Sequence, residues 1–196
     1  MTDKSDYMPW LDYSDIWKSE AEWLSYIRGG IRKGLWEKNP IKLRFMNESV
    51  VYIENDNPRS MKRFPKIKGY TCAICGWTHR AGEPKTKYKK GVNYFECDHK
   101  EGGHSLRTIS AAQSFIEGIV FVRTEDLQML CKPCHYAKTY SEKEGVSFDM
   151  AVIIKKVIAM EKAKTVLTYL EERGIVPAKN AKQRRQQCIE EMMKCT

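Results

Sequence analysis

Two cysteine pairs of identical spacing, Cys72-x-x-Cys75 and Cys131-x-x-Cys134, constrain this chain more than any other feature. Two residues between thiolates let both sulfurs reach one ion from a tight turn. A tetrahedral zinc ion in a structural role takes four such ligands and keeps no open position. The first pair lies in "CAICG" and the second in "CKPC", and both read as turns. Seven cysteines in a cytosolic chain do not read as a disulfide framework, and nothing around either pair resembles a redox helix. We therefore expect one structural Zn2+ held by Cys72, Cys75, Cys131 and Cys134. The ion would close a long loop and gather the intervening segment into one unit. A unit of that size buries little apolar surface, so the metal supplies stability that packing cannot.

The charge points to a partner. The formal net charge is +9 and the pI about 9.1, a balance that favours polyanions, nucleic acid first. The charge is concentrated. From Arg59 to Lys100 the chain is rich in lysine and arginine, and its acids are Glu83, Glu96 and Asp98 alone. The longest apolar run, "MAVIIKKVIAM", is interrupted by two lysines and is too short for a membrane span. The first residues lack a basic start followed by an apolar stretch, so no secretory signal is expected and the cytoplasm is the expected location.

Three regions follow from pattern and composition: a helical region over 1–60, a core over 61–145 and a helical extension over 146–196. In the first, apolar residues at helical spacing from Trp17 to Leu35 predict a helix over 14–36 with Ser14 as its N-cap. Gly29-Gly30 is expected to weaken its last turns. Asn39 and Pro40 predict the cap and first position of a short helix. "SVVYIE" reads as a strand, and "TKYKKGVNYFECDH" as two strands about a glycine turn. "TISAAQSFIEGI" reads as a helix. "LQMLCKPCHYAKTYSEKEG" reads as a second cysteine turn running into a helix that stops at Gly145. Residues 147–172 predict one long helix or two, and 178–195 a last amphipathic helix with a basic start.

With the four cysteines assigned, "CDHKEGGHS" (97–105) is released from the zinc site. Asp98-His99 ends a predicted strand, and His135 directly follows Cys134. A zinc that holds the helix start beside the hairpin lets Asp98, His99 and His135 approach one another. One carboxylate and one imidazole can hold a hard divalent ion with open positions. A further imidazole can take a proton from an attacking water. Together these make a set for metal-assisted phosphodiester hydrolysis. Cys97 reads as a small packing residue, His104 as a loop residue beyond a glycine link, and His79 as a surface residue.

The string "CAIC…ECDHKEGGHS…DLQMLCKPCHYAKT" resembles the zinc-containing branch of the HNH (His-Asn-His) endonucleases, of the sort often carried by bacteriophages. The likeness covers about Cys72 to Thr139. It implies an α+β fold: a small ββα-metal (His-Me finger) core with the structural zinc, flanked by N- and C-terminal helices. It implies a DNA endonuclease that nicks or cuts duplex DNA, with His99 as general base. Asp98 and His135 are implied as ligands of a catalytic Mg2+ or Mn2+. Lys138 falls where a phosphate-contacting lysine is frequent. The family's asparagine is replaced by Asp126, which keeps an acceptor but no donor; we expect it to pin its loop by accepting backbone N–H bonds. Lys87, Lys89, Lys90, Lys100 and Lys138 are expected to contact DNA, mainly its backbone. Arg28, Arg32, Lys33, Lys42 and Arg44 are further candidates. Homing, genome packaging, host-DNA degradation and restriction all suit these residues. For a phage-encoded chain the location would be the host cytoplasm. The rival reading is a catalytically silent, zinc-stabilised nucleic-acid-binding protein.

Overall fold

In the computed structural model, residues 8–80, 95–102 and 105–194 are described. The first strand and turn of the expected 86–99 hairpin, Lys87, Lys89, Lys90, His104 and Cys195 lie outside these. The chain is a mixture of helices and two small sheets.

The N-terminal layer begins with a one-turn helix α1 (Pro9–Asp12), followed by α2 (Glu20–Ile31). The cap of α2 is Ser19, whose hydroxyl accepts from the Glu22 N–H, and not Ser14 as its sequence predicts. Ser19 is followed three residues later by an acid, the stronger start signal. The helix runs through Gly29-Gly30 and then widens into a π-helical turn over Arg32–Trp36, with the Glu37 N–H donating to the Arg32 carbonyl. That extra residue rotates the face, which is why Leu35 is exposed instead of continuing the buried stripe of Leu24. Helix α3 (Pro40–Glu48) starts as expected, with Asn39 Oδ1 accepting from the N–H groups of Ile41 and Lys42.

Strands β1 (Val51–Glu54), β2 (Lys66–Thr71) and β3 (Thr78–Arg80) form an antiparallel sheet in that order. The first cysteine turn joins β2 to β3. Its Gly76 has φ +70°, a left-handed conformation that glycine adopts without a Cβ clash. His79 is half-buried and stacked on Trp77 at 4.7 Å, not on the open surface.

The second sheet joins the strand that ends in Asp98-His99 to a segment much later in the chain. Strand β4 (Phe95–His99) pairs antiparallel with β5 (Leu127–Cys131), bringing His99 opposite Leu127 and Phe95 opposite Cys131. The sequence "LQMLC" therefore forms a strand, not a turn. Its Leu127, Met129, Leu130 and Cys131 are all buried. A short, mostly apolar run of this kind, broken only by Gln128, carries no clear period that separates strand from turn or helix. Between β4 and β5 lies helix α4 (Ala112–Val120), preceded by a 3₁₀ turn over Ile109–Ala111. Immediately after β5 comes α5 (Lys132–Glu144), closed by Gly145 at φ +67°.

The C-terminal residues 147–172 form two helices. Helix α6 (Phe148–Ala163) ends at Lys164 in a left-handed conformation (φ 59°), and α7 (Val166–Glu171) follows. Helix α8 (Ala181–Met193) is capped by Asn180. No helix among the described residues is long and apolar enough to cross a membrane.

Three clusters of buried side chains organise the molecule. One gathers Cys72, Phe95, Cys97, Leu127, Leu130, Cys131 and Cys134 around the second sheet. A second joins Leu24 of α2 to Leu106, Phe115 and Ile119. The third, Val157, Val166, Leu170 and Cys188, binds α6, α7 and α8 together. Trp36 packs against the first and the second.

Candidate functional site

The four paired cysteines converge. One sulfur from each of Cys72, Cys75, Cys131 and Cys134 lies within 4.8 Å of the others, and Cys75 Sγ is 3.8 Å from Cys131 Sγ. The backbone enforces this. The Cys72 N–H donates to the Trp77 carbonyl, closing the first turn, and the Ala73 N–H donates to the Met129 carbonyl, docking that turn on β5. Cys131 ends β5, and Cys134 follows in the first turn of α5. Among the described residues this is the one group of three or more potential ligands that meets at a point. It could hold a metal ion such as zinc.

The thiol acidities fit that role. Burial disfavours the Cys72 thiolate, but N–H groups of Cys75, Cys131 and Ile74 outweigh it and bring its pKa down to about 7. Burial pushes Cys131 up to about 11, and burial with the neighbouring sulfurs pushes Cys134 higher. Four thiolates this close repel one another, and a divalent cation removes the repulsion.

A second constellation sits on the other end of β4 and α5. Side chains alternate along a strand, so Glu96 and Asp98 face α5 while Phe95, Cys97 and His99 face the opposite way. On the α5 side, His135 Nδ1 lies 2.6 Å from Glu96 Oε2, and His135 Nε2 lies 3.8 Å from Asp98 Oδ1. Lys138, one turn further along α5, reaches Asp98 Oδ2 at 3.0 Å and Glu142 Oε1 at 2.6 Å. Contact with Glu96 raises the His135 pKa against the effect of burial, helped by the Asp98 charge. The same contact lowers that of Glu96. Burial opposes the Lys138 ammonium, but Glu142 and Asp98 more than offset it. Cys97 is buried in the core, and burial pushes its thiol up to about 11.

On the other side of β4, His99 Nε2 is 2.7 Å from the Gly118 carbonyl, and its ring stacks on Trp36 with centroids 4.7 Å apart. A carbonyl offers no proton, so Nε2 carries the hydrogen and the basic lone pair of the neutral ring is on Nδ1. Gly118 and Ile119 lie in the last turn of α4, where carbonyls lack intrahelical partners. Gly118 holds His99, and the Ile119 carbonyl accepts from Asn39 Nδ2 at 2.8 Å. The C-terminal end of α4 thus meets the imidazole through the Gly118 carbonyl.

His99, Asp98, Glu96 and His135 all line one groove, with a cavity volume of about 470 Å³. His99 and Asp98 enter it from opposite faces of the strand, so the expected cluster of three becomes a pair, Asp98 and His135, with His99 beside it. Asp126 lies in the 3₁₀ turn before β5; its Oδ2 accepts from the Arg123 N–H at 2.9 Å, and its carbonyl accepts from the Lys100 N–H. Lys100 is exposed at the end of β4.

Glu96 and Trp36 were not among the residues singled out for this site by sequence. Glu96 was legible in principle, because it stands two residues before Asp98 and so on the same strand face. Trp36 was not, because its meeting with His99 depends on tertiary packing. Compared with family models, with curated proteins and with solved structures, the chain matches none.

Proposed function

We propose that this protein is a metal-dependent DNA endonuclease of the HNH kind, hydrolysing phosphodiester bonds, with a structural zinc held by Cys72, Cys75, Cys131 and Cys134. The observation that carries the reading is one groove lined by a carboxylate–imidazole pair, Asp98 and His135, and by an imidazole whose proton-bearing nitrogen is fixed. On this reading the β4–β5 pair and α5 are the ββα-metal core.

Asp98 and His135 would hold a Mg2+ or Mn2+ ion. The donor set fits, since such ions bind proteins through one or two carboxylates and leave other positions to water and phosphate oxygens. When bound, the ion stabilises the negative charge of the phosphate and of the leaving oxygen. The rest falls to the chain. Glu96 Oε2, 2.6 Å from His135 Nδ1, would keep the proton of the neutral ring on Nδ1 and leave the Nε2 lone pair facing Asp98, the arrangement that orients metal-binding imidazoles. His99 accepts a proton from water at Nδ1, while Gly118 and the stacked Trp36 fix the ring. Lys138 Nζ, 3.0 Å from Asp98 Oδ2, orients that carboxylate. Asp126 stands where the family has asparagine and holds the loop before β5 by its bond from Arg123. Lys100 and the basic 85–90 segment supply backbone contacts.

The test is plasmid nicking with Mg2+ or Mn2+ by the wild type and His99→Ala. The expected loss in the variant is about 10²–10⁴-fold, the usual contribution of a general base, with DNA binding retained. Equal nicking by both would remove His99 from the mechanism. The rival, a silent zinc-stabilised nucleic-acid-binding protein, is favoured by Asp126 alone. It requires a wild type that binds DNA and never cuts it.

A further inference from the structure

We infer that Arg32 and Lys42 form a phosphate-binding wall of the same groove, so that the N-terminal helices contribute directly to substrate binding. The inference rests on the nuclease reading for its substrate, a nucleic-acid phosphodiester, but on separate residues for its site. Of the five N-terminal cations that the sequence offers, Arg32 and Lys42 line the groove that holds Asp98, His99 and His135, whereas Arg28, Lys33 and Arg44 do not.

The local fold explains the selection. The π-helical turn spans Arg32 to Trp36. Residues four apart in so wide a turn share a face, and both line the groove. Lys42 is set by the Asn39 cap of α3 and lies over the Trp36 ring, with its Nζ 4.7 Å from the centroid. His99 also stacks on Trp36. A cation, an indole and the proposed base are therefore held in register.

Pairing separates these two cations from their neighbours. Lys138 is occupied by Asp98 and Glu142, and Arg44 by Glu48 at 2.8 Å. Arg32 and Lys42 form no salt bridge with any described carboxylate. Burial, then Arg28, lowers the Arg32 pKa while the Asp98 charge raises it, and burial lowers that of Lys42 against the charges of Glu37 and Glu96. These are partly desolvated positive charges lining the same groove as Asp98, in no salt bridge with a described carboxylate. A phosphodiester crossing the groove supplies an anion, and arginine can take two of its oxygens at once.

The experiment uses the full zinc-loaded protein and a short fluorescein-labelled DNA duplex, with Ca2+ in place of Mg2+ so that binding is read without turnover. The double variant R32A/K42A is expected to raise Kd about 10- to 100-fold at low salt. It should also reduce the slope of log affinity against log salt by about 1.8, or about 0.9 for each lost phosphate contact. Circular dichroism and zinc content should match the wild type. R32K/K42R should recover most of the affinity, and Arg44→Ala should bind as the wild type does. Unchanged affinity and slope in the double variant would overturn the inference, as would an equal loss in Arg44→Ala, which would indicate general charge rather than a site. Failure of the nuclease reading appears elsewhere, as a wild type that does not nick plasmid in Mg2+ or Mn2+, and leaves this binding comparison readable.

Discussion

Cys134 and Cys188 are both buried, yet they belong to regions held together by different means. Around the second sheet, Cys72, Cys131 and Cys134 are part of the buried cluster, and their sulfurs meet Cys75 at one point. In the C-terminal bundle, Cys188 packs among Val157, Val166 and Leu170 with no cluster of potential ligands around it among the described residues, and burial raises its pKa. There it behaves as a small apolar side chain. The same residue type joins a cluster that could hold a metal ion in one region and fills space in the other. What decides is spacing: Cys188 has no cysteine three positions away on either side, and it lies on a helix face rather than in a turn.

The contrast can be broken by removing each support in turn. The largest effect should come from stripping the metal with a chelator, or from Cys131→Ser. Structural zinc sites contribute on the order of 10 kcal/mol. Amides of 72–76 and 127–131 should then exchange freely by hydrogen-exchange mass spectrometry while α6, α7 and α8 keep most of their protection. Uniform collapse would show that the bundle depends on the metal as well. Next, Leu170→Ala should cost about 2–5 kcal/mol through the cavity it leaves in a fully buried position, with zinc content by mass spectrometry still one per chain. A smaller effect is expected from Asn39→Ala, which loses the α3 cap and the tie to Ile119; about 1–2 kcal/mol by denaturant titration fits the loss of a cap. The smallest is Cys188→Ala, at about 1 kcal/mol with no change in zinc content. A fall in zinc there would mean that the two cysteine roles are not separate.

How much of this was legible in the sequence follows the same division. The cysteine cluster could be read directly, because ligand spacing is local and the chemistry of four thiolates is restrictive. The Asn39 cap, the Gly145 stop and the helices after it were legible for a similar reason, since caps and periodicity act within a few residues. The start of α2 was misplaced at Ser14 because two serines compete and the fold uses the one followed by Glu22. The pairing of β4 with β5 was hidden, since the partners are separated by a helix and the run "LQMLC" is too short, and too apolar after Gln128, to show alternation. Within the groove, the residues expected at Asp98 and His135 do come together, whereas His99 enters from the opposite face of the strand. Its surroundings, Trp36 and the Gly118 carbonyl, arise from packing between distant segments that no local pattern encodes.

The distance between the cysteine pairs has a consequence for synthesis. Cys75 and Cys131 are 56 residues apart and meet across a strand pair that encloses α4. Local helices form within about a microsecond, but contacts of this separation must first overcome the entropy of closing the loop. A chain emerging from the ribosome carries half a metal site, one exposed thiol pair, until Cys134 follows. At roughly 5–20 residues per second that interval lasts several seconds. During it the basic segment beyond Cys75 is already outside, with neither β5 to dock the first turn nor α5 to pair with the acids of β4. His135, Lys138 and Glu142, which line the groove, follow the last of the four thiols, so the groove is completed late in translation.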